Sequence, residues 1–481
     1  MDDLFSGLVV LVALFALGKW REAIFACLLI DATRDFFRKI SEQQSVLTTL
    51  TIGLVWMAAL FGAFTLNGRE CRSLFLRYPQ YKKSVLALVA ALVPGALIST
   101  LMYQNGWVLA VVGILSYLCP GIGIVLGYLW PRRADDIYKW LSAYVLINAV
   151  VLIGVILEIG KVKFPGLGGM NMVWIRYNGT DIVQLIAGFY RSPDVMGLHA
   201  AHVILFGAII ALRPRQRFTW FWLLICTWGA TCVLLSGRRK MIGMPAVFLV
   251  SYVGLVTSSS GRIRFAVGMA GAAVVIVGML SLIIETQDIS SDYTRFASTI
   301  MGDVFERTSE SFSSAVAVTL QQSGLLGDGL GVATQGRHRL GIVTNTRDWQ
   351  EDGVGRLFKE LGVPGVVLAV VSLYFLIAAV RHSMTAIPKG HPAQSLQFGI
   401  YSVVFANACG FIVSHQAYSG DPSTILMIGF CLGMGLGIPR TVWSNVSRPV
   451  SPKRPVTLTE FPSAPPDSRQ EIEDGKEVPA P

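Results

Sequence analysis

The sequence predicts an all-α polytopic membrane protein, and three observations carry that prediction. Only 15% of its 481 residues are charged while 53% are hydrophobic, far from the balance of a soluble globule. Mean hydropathy is +0.56. Apolar stretches recur from residue 5 to residue 438 with no soluble block between them long enough to bury a core of its own. The net charge of +10 does not point to nucleic acid, because the cations are scattered between apolar stretches and form no basic helix or aromatic platform. They follow instead the rule that Lys and Arg gather on the cytoplasmic side of a membrane.

A helix needs about 20 mostly apolar residues to cross a bilayer. Residues 5–17 are a marginal run, and residues 23–30 are too short to cross without their flanks. Residues 1–45 therefore hold either one span and an interfacial helix or a two-span hairpin. Eleven clearer stretches follow at 46–66, 84–103, 107–130, 140–159, 195–212, 218–235, 241–256, 265–284, 364–380, 396–413 and 424–438. The total is twelve or thirteen, with twelve spans and two cytoplasmic termini preferred. Residues 46–440 form one membrane domain, and residues 441–481, with Pro449, Pro452, Pro455, Pro462, Pro465 and Pro466 among charges, read as a disordered cytoplasmic tail. The opening Met1-Asp2-Asp3 lacks the basic start of a cleavable signal peptide. Of the seven cysteines, all but Cys71 lie in apolar runs without metal-type CxxC spacing, so they read as core thiols.

Loop charge sets the orientation. Arg69, Arg72, Arg77, Lys82 and Lys83 mark a cytoplasmic loop, and alternate connections agree: Arg132 and Arg133; Arg213, Arg215 and Arg217; Arg262 and Arg264; Arg381 and Lys389. Two longer connections, 160–194 and 285–356, then face outward, and they have the room for a site. Within the second, residues 293–322 carry Phe296, Ile300, Val304, Phe305, Phe312, Val316 and Leu320 at helical spacing, an amphipathic helix over the mouth of the bundle. Gly324, Gly327, Gly329 and Gly331 break that helix. Gly327-Asp328-Gly329-Leu330-Gly331 lacks the following Lys-Ser/Thr of a nucleotide loop.

Three stretches carry chemistry. Ser236-Gly237-Arg238-Arg239-Lys240 breaks the charge rule by placing three cations on the outward side. Adjacent guanidinium forks suit a diphosphate, whose oxygens Arg binds bidentately; the bland alternative is a helix boundary snorkelling to lipid headgroups. Tyr190-Arg191-Ser192-Pro193-Asp194 adds another outward Arg. Arg191 either binds phosphate or sugar or simply pairs with Asp194. Behind it, His199 and His202 stand at i and i+3 and read as packed histidines, since no third metal ligand accompanies them. The third stretch runs from Asp348 to Gly365, where Asp352, Arg356 and Glu360 share a helix face. It is either a salt-bridged helix start or a place where Glu351, Asp352 or Glu360 supplies a base and Arg356 reaches a phosphate. His338 is a competing base.

On these stretches, together with Gly197-Leu198-His199-Ala200-Ala201 and Gly329-Leu330-Gly331, the chain resembles the bacterial O-antigen polymerase and ligase superfamily, particularly its Wzy-type exopolysaccharide polymerases. The likeness covers about residues 46 to 438. It implies a GT-C-like, metal-independent glycosyltransferase without cofactor in the bacterial inner membrane. Such an enzyme joins polyprenyl-diphosphate-linked oligosaccharides at the periplasmic face, with a chain-length regulator or export proteins as partners. The resemblance would place Arg191, Arg238, Arg239, Lys240 and Arg356 on substrate and Glu351, Asp352 or His338 in catalysis. The ligase branch often carries a His-Asn pair before its late Glu-containing helix; Trp349-Gln350 stands there instead, which favours polymerase. The rival from another class is a lipid-linked sugar transporter, which should hold ionisable groups at mid-membrane. By sequence, the spans are nearly free of them.

Overall fold

The structure is a computed structural model and describes residues 2–41, 47–170, 175–178, 181–214, 216–260, 316–334, 352–419 and 421–446. The chain is an α-helical polytopic membrane protein. Among the described residues nine helices are long and apolar enough to cross a membrane, and two shorter apolar helices accompany them. The expected span at 265–284 and most of the amphipathic helix at 293–322 lie outside the described residues.

The N-terminal region is a helical hairpin, α1 (Asp2–Gly18) and α2 (Trp20–Ile40), turning at Lys19. The Phe5 and Phe37 rings, at its open end, are 5.2 Å apart. At 1.5 Å per residue, α2 is about 30 Å long, the thickness of the hydrocarbon core. Near one end, Arg21 donates to the Leu129 carbonyl at 3.1 Å and the Trp130 carbonyl at 3.3 Å. At the other, Lys39 donates to the carbonyls of Gly166, Gly168 and Gly188. Between them Ala23, Ile24, Cys27, Leu28, Arg34, Asp35 and Arg38 are buried. Helix α2 is thus an inner helix running the length of the bundle, although its charges keep it from reading as apolar.

Helix α3 (Leu47–Arg77) bends at Asn67, whose side chain accepts from the Trp20 indole at 3.3 Å, and then continues to Arg77. Only Tyr78 separates it from α4 (Pro79–Met102). The basic segment expected as a loop is therefore two helix ends. Helix α5 (Gly106–Leu129) carries Gly123 and Gly127 four residues apart. A Cβ on Gly127 would stand 2.0 Å from the Phe430 carbonyl, and one on Gly433 would stand 2.2 Å from the Ile124 carbonyl. Small residues at this spacing let α5 meet the last helix backbone to backbone, the usual solution where lipid gives no hydrophobic drive between helices.

Helices α6 (Ala134–Val151) and α7 (Ile153–Ile159) lead to the first long connection. There, strands β1 (Ile175–Asn178) and β2 (Asp181–Gln184) pair antiparallel with Ile175 opposite Gln184, a short ribbon the all-helical expectation did not include. Glu158 fastens the return of this connection by accepting from the backbone N–H of Ala187 at 3.0 Å and of Gly188 at 2.6 Å. Helix α8 (Pro193–Ala211) is 83% buried along its apolar window, which makes it central. Helices α9 (Thr219–Leu235) and α10 (Arg239–Ser260) follow.

After the undescribed stretch, residues 316–323 are helical. The glycine-rich segment then turns into the bundle: Leu330 N donates to the Gly95 carbonyl at 3.0 Å, and Ser99 Oγ to the Leu330 carbonyl at 2.6 Å. Helix α11 (Gly353–Thr385) makes room for it by breaking at Gly362, which sits at φ 63. Val363 N there donates to the Leu325 carbonyl at 2.8 Å. A residue with a Cβ could not take that place, because the added carbon would meet the Leu326 carbonyl oxygen at 2.3 Å and the left-handed φ is costly for it. Helices α12 (Pro392–Val413), α13 (Gln416–Ser419) and α14 (Pro422–Val446) complete the chain. Helix α14 passes the Thr441 boundary read from composition; residues 447–481 lie outside the described residues.

Candidate functional site

The site is built on the start of α8. Ser192 has an extended backbone, and its hydroxyl accepts from Val195 N at 3.4 Å. Pro193 follows at the first helical position, where its missing N–H costs nothing. This cap fixes Asp194 in the first turn, a place that favours a carboxylate. The carboxylate forms ion pairs with Arg238 Nη2 at 2.9 Å and Lys240 Nζ at 2.7 Å. Lys240 also donates to Ser414 Oγ at 2.6 Å, reaching the turn after α12. Gly237, at φ 62, lets the α9–α10 turn close against Leu185, whose Cδ2 would lie 2.4 Å from an added Cβ. The two basic stretches, at Arg191 and at Arg238 to Lys240, therefore meet, and α12 joins them.

Arg191 faces a second, deeper set of charges. Its backbone N–H donates to Asp35 Oδ2 at 3.1 Å, and its guanidinium lies 3.6 Å from Asp421 Oδ2. The same Asp421 oxygen accepts from Arg34, which also lies 3.3 Å from Asp31 and 3.8 Å from Asp35. Asp421 further caps α14, accepting from Ser423 N at 3.0 Å. Burial by itself would push the Asp421 carboxyl up, but Arg34 and then Arg191 outweigh it and hold the group well below the usual carboxylate range. Arg34 and Asp421 are buried, while Arg191 is 12% exposed, so Arg191 is where this network approaches the surface.

The histidines below are hydrogen-bonded. Tyr144 OH lies 2.8 Å from His199 Nδ1 and 3.3 Å from His202 Nδ1. His202 Nε2 lies 2.8 Å from Asn407 Oδ1, which also accepts from Tyr418 at 3.4 Å. Tyr190, stacked on His199 with ring centroids 5.0 Å apart, donates to Asn148 at 2.9 Å. These side chains tie α6, α8, α12 and α13 together beneath the charges. No group of three or more His, Cys, Asp or Glu suited to a metal occurs among the described residues.

The third stretch divides. Asp352 caps α11 by accepting from Gly355 N, and Gly353 packs so closely on α12 that a Cβ there would stand 2.3 Å from the Phe411 carbonyl. The beginning of α11 thus reaches the α12 end that also carries Ser414. Arg356 turns elsewhere. It donates to Glu360 at 3.1 Å and to Ser116 at 3.0 Å and lies over the Tyr117 ring, while Glu360 also accepts from Tyr117 OH at 2.7 Å and Ala333 N at 3.1 Å. At 2% exposure Arg356 has no surface on which to receive a phosphate. Its bonds among the described residues lead to α5 and to Glu360, not to Arg191 or Arg238. The salt-bridged alternative describes this face. Glu351, His338 and the side chain of Arg239 lie outside the described residues.

Sequence reasoning missed Arg34, Asp35, Ser414 and Asp421. The signal for the first two was present: Asp31, Arg34, Asp35 and Arg38 continue the face of Ala23, Ile24 and Cys27 at spacings of three and four. Read as one amphipathic pattern, they mark a helix with buried charge. Ser414 and Asp421 are lone residues beside a helix end, and their role comes only from what folds against them.

Fold and site together define a polytopic α-helical membrane protein with a cluster of paired arginines, a lysine and aspartates at one end of the bundle. Compared with known proteins, the chain matches no family model and no curated relative.

Proposed function

We propose that this protein is a metal-independent membrane glycosyltransferase that joins polyprenyl-diphosphate-linked oligosaccharide repeat units into a polysaccharide. The observation that carries the reading is the pairing of Arg238 and Lys240 with Asp194, beside Arg191 on Asp421, at the end of the bundle opposite the arginine-rich helix ends. The resemblance noted above supplies the substrate class, and the fold is read as GT-C-like on that ground. Helices α1 and α2 and the eleven later apolar stretches make thirteen spans, which puts Lys19, Arg21 and the C terminus in the cytoplasm and the site on the periplasmic side of the inner membrane.

The chemistry asks little of the protein. The acceptor hydroxyl oxygen attacks the anomeric carbon and forms the new glycosidic bond. The bond from that carbon to the diphosphate oxygen breaks, and the diphosphate leaves with the electron pair. The hydroxyl proton passes to a carboxylate, for which Glu351 is the proposed group. Arg238, Lys240 and Arg191 hold the departing diphosphate, and Arg239 is assigned to the same role by its neighbours. Cations placed where negative charge develops are the largest aid such a step can receive.

Reconstituted protein given lipid-linked repeat units tests the reading. Arg238→Lys keeps the charge but loses the fork; Arg238→Ala loses both. Charge-assisted bonds contribute about 1.5–3 kcal/mol, so Arg238→Ala should slow polymerisation roughly ten- to hundred-fold and leave repeat units unjoined. Full polymer from Arg238→Ala and Arg191→Ala at equal protein levels would reject the site. One observation favours a second reading: α2 brings Arg34, Asp35 and Arg38 inside the bundle, as a transporter of lipid-linked sugars would. Movement of labelled repeat units across vesicles without polymer formation would select it.

A further inference from the structure

We infer that Asp194 is a built-in stand-in for phosphate: it presets the Arg238 and Lys240 side chains for a diphosphate, competes with that diphosphate for them, and so sets how readily the diphosphate leaves. The inference rests on the anion-binding reading above and concerns a residue that reading leaves without a role.

Three features carry it. First, the carboxylate holds both cations at once, with Arg238 Nη2 on Oδ2 at 2.9 Å and Lys240 Nζ on Oδ1 at 2.7 Å. A guanidinium and an ammonium also pair with phosphate oxygens, so a carboxylate in that position gathers the two cations as a phosphate would. Second, the cations are more open than the acid. The Arg238 side chain is 26% exposed and that of Lys240 is 15%, against 9% for Asp194. An incoming anion therefore approaches them from the exposed side and meets Asp194 from the front. Third, Asp194 is not stranded by displacement, because it stands in the first turn of α8, where the helix dipole favours its charge.

The consequence is a trade. A diphosphate must take Arg238 and Lys240 from an existing partner and sit beside that partner's negative charge, so it binds less tightly than the bare cations would allow. The same repulsion speeds its departure. Binding ground state and product more weakly is useful to an enzyme that must discharge a highly charged leaving group on every cycle.

The alternative is that Asp194 only tethers α8 to the α9–α10 turn, and direct binding separates the two. The full chain, held in nanodiscs of phosphatidylcholine and phosphatidylglycerol, is titrated with inorganic pyrophosphate by calorimetry. Asp194→Asn keeps the shape and a hydrogen-bonding oxygen but removes the charge. It should bind pyrophosphate about tenfold more tightly than wild type, the effect of removing one nearby like charge at a partly screened site. In the polymerisation assay it should lower KM and kcat together, as slower release requires. Unchanged or weaker pyrophosphate binding by Asp194→Asn, with Arg238→Ala abolishing it, overturns the inference and leaves the anion site standing. Equal binding by wild type and Arg238→Ala removes the anion site and the inference with it. Should Asp194→Asn fail to accumulate, Asp194→Ser makes the same charge removal and is read by the same criteria.

Discussion

Arg34 of α2 and Asp421 at the head of α14 form a buried ion pair that joins the first part of the chain to the last, 387 positions apart in sequence. Because Arg191 shares the Asp421 oxygen, the pair also positions the residue through which the network reaches the surface. Breaking one side of such a buried pair strands the other, at a cost of about 3–5 kcal/mol. Asp421→Asn and Arg34→Ala should each lower the unfolding temperature in detergent, measured by intrinsic fluorescence. The folded protein holds Asp421 below its ordinary value of 3.8. The unfolded chain therefore binds the more protons in acid, and the carboxylate's contribution is complete above that value and is lost only as pH falls beneath it. The deficit of Asp421→Asn should accordingly be the same at pH 8 and pH 5; a deficit that shrinks between them would mean that Asp421 is already protonated in the fold.

The N-terminal hairpin makes a topology prediction that differs from the twelve-span reading of the sequence. Alkaline phosphatase fused after residue 3, 40, 170 or 330 should be active, and β-galactosidase should be active after residue 19 or 460. Active phosphatase at residue 19 would mean that α1 does not cross, and active β-galactosidase at 330 would overturn the orientation of the site.

Backbone contact between α5 and α14 leaves no room for side chains. Gly127→Leu would drive atoms into the Phe430 carbonyl, from which even a Cβ is only 2.0 Å away. Overpacking costs about 1–3 kcal/mol in cores that can shift; with backbone as the obstacle, Gly127→Leu should be at least that harmful. Size-exclusion chromatography should show loss of the monodisperse protein. Gly121→Leu is the control, because nothing lies within 4 Å of an added Cβ there, and it should behave as wild type. Equal behaviour of the two variants would dissolve the packing argument.

In the proposed reaction the acceptor's proton goes to Glu351. Asp352 is spent on capping α11, and Glu360 is buried among Arg356, Tyr117 and Ala333, so neither offers a free carboxylate to a sugar. Glu351→Gln keeps size but cannot accept the proton. It should reduce turnover by roughly 10²–10⁴-fold, with lipid-linked repeat units accumulating. Polymer from Glu351→Gln but none from His338→Ala would move the base to the histidine.

The membrane class of this protein was legible from sequence because lipid exposure acts residue by residue. Stretches such as 84–103 and 107–130 are apolar over a whole bilayer thickness, and the structure has helices there. The basic stretch at 238–240 and the capped Arg191-Ser192-Pro193-Asp194 were visible for the same kind of local reason, since each breaks a one-dimensional rule or spells a helix start. Asp352, placed by its spacing on a helix face with Arg356 and Glu360, is instead the cap of that helix.

What the tertiary structure alone decided is which charges face one another. In sequence Arg356 and Arg238 look alike, two outward arginines near span ends. In the fold one is sealed against Glu360 and Ser116 while the other meets Asp194 at the surface. Likewise the apolar run at residues 23–30 is too short to cross without its charged flank, yet Asp421 and Asp35 balance Arg34 and Arg191 there and make the burial of α2 tolerable. The physical reason is common to both cases. The cost of a charge depends on the partner within a few ångströms, and for Arg34 that partner lies 387 positions away along the chain. Hydropathy sums each residue separately and so fixes the bilayer-crossing pattern; pairing belongs to two residues at once and exists only after the helices have packed.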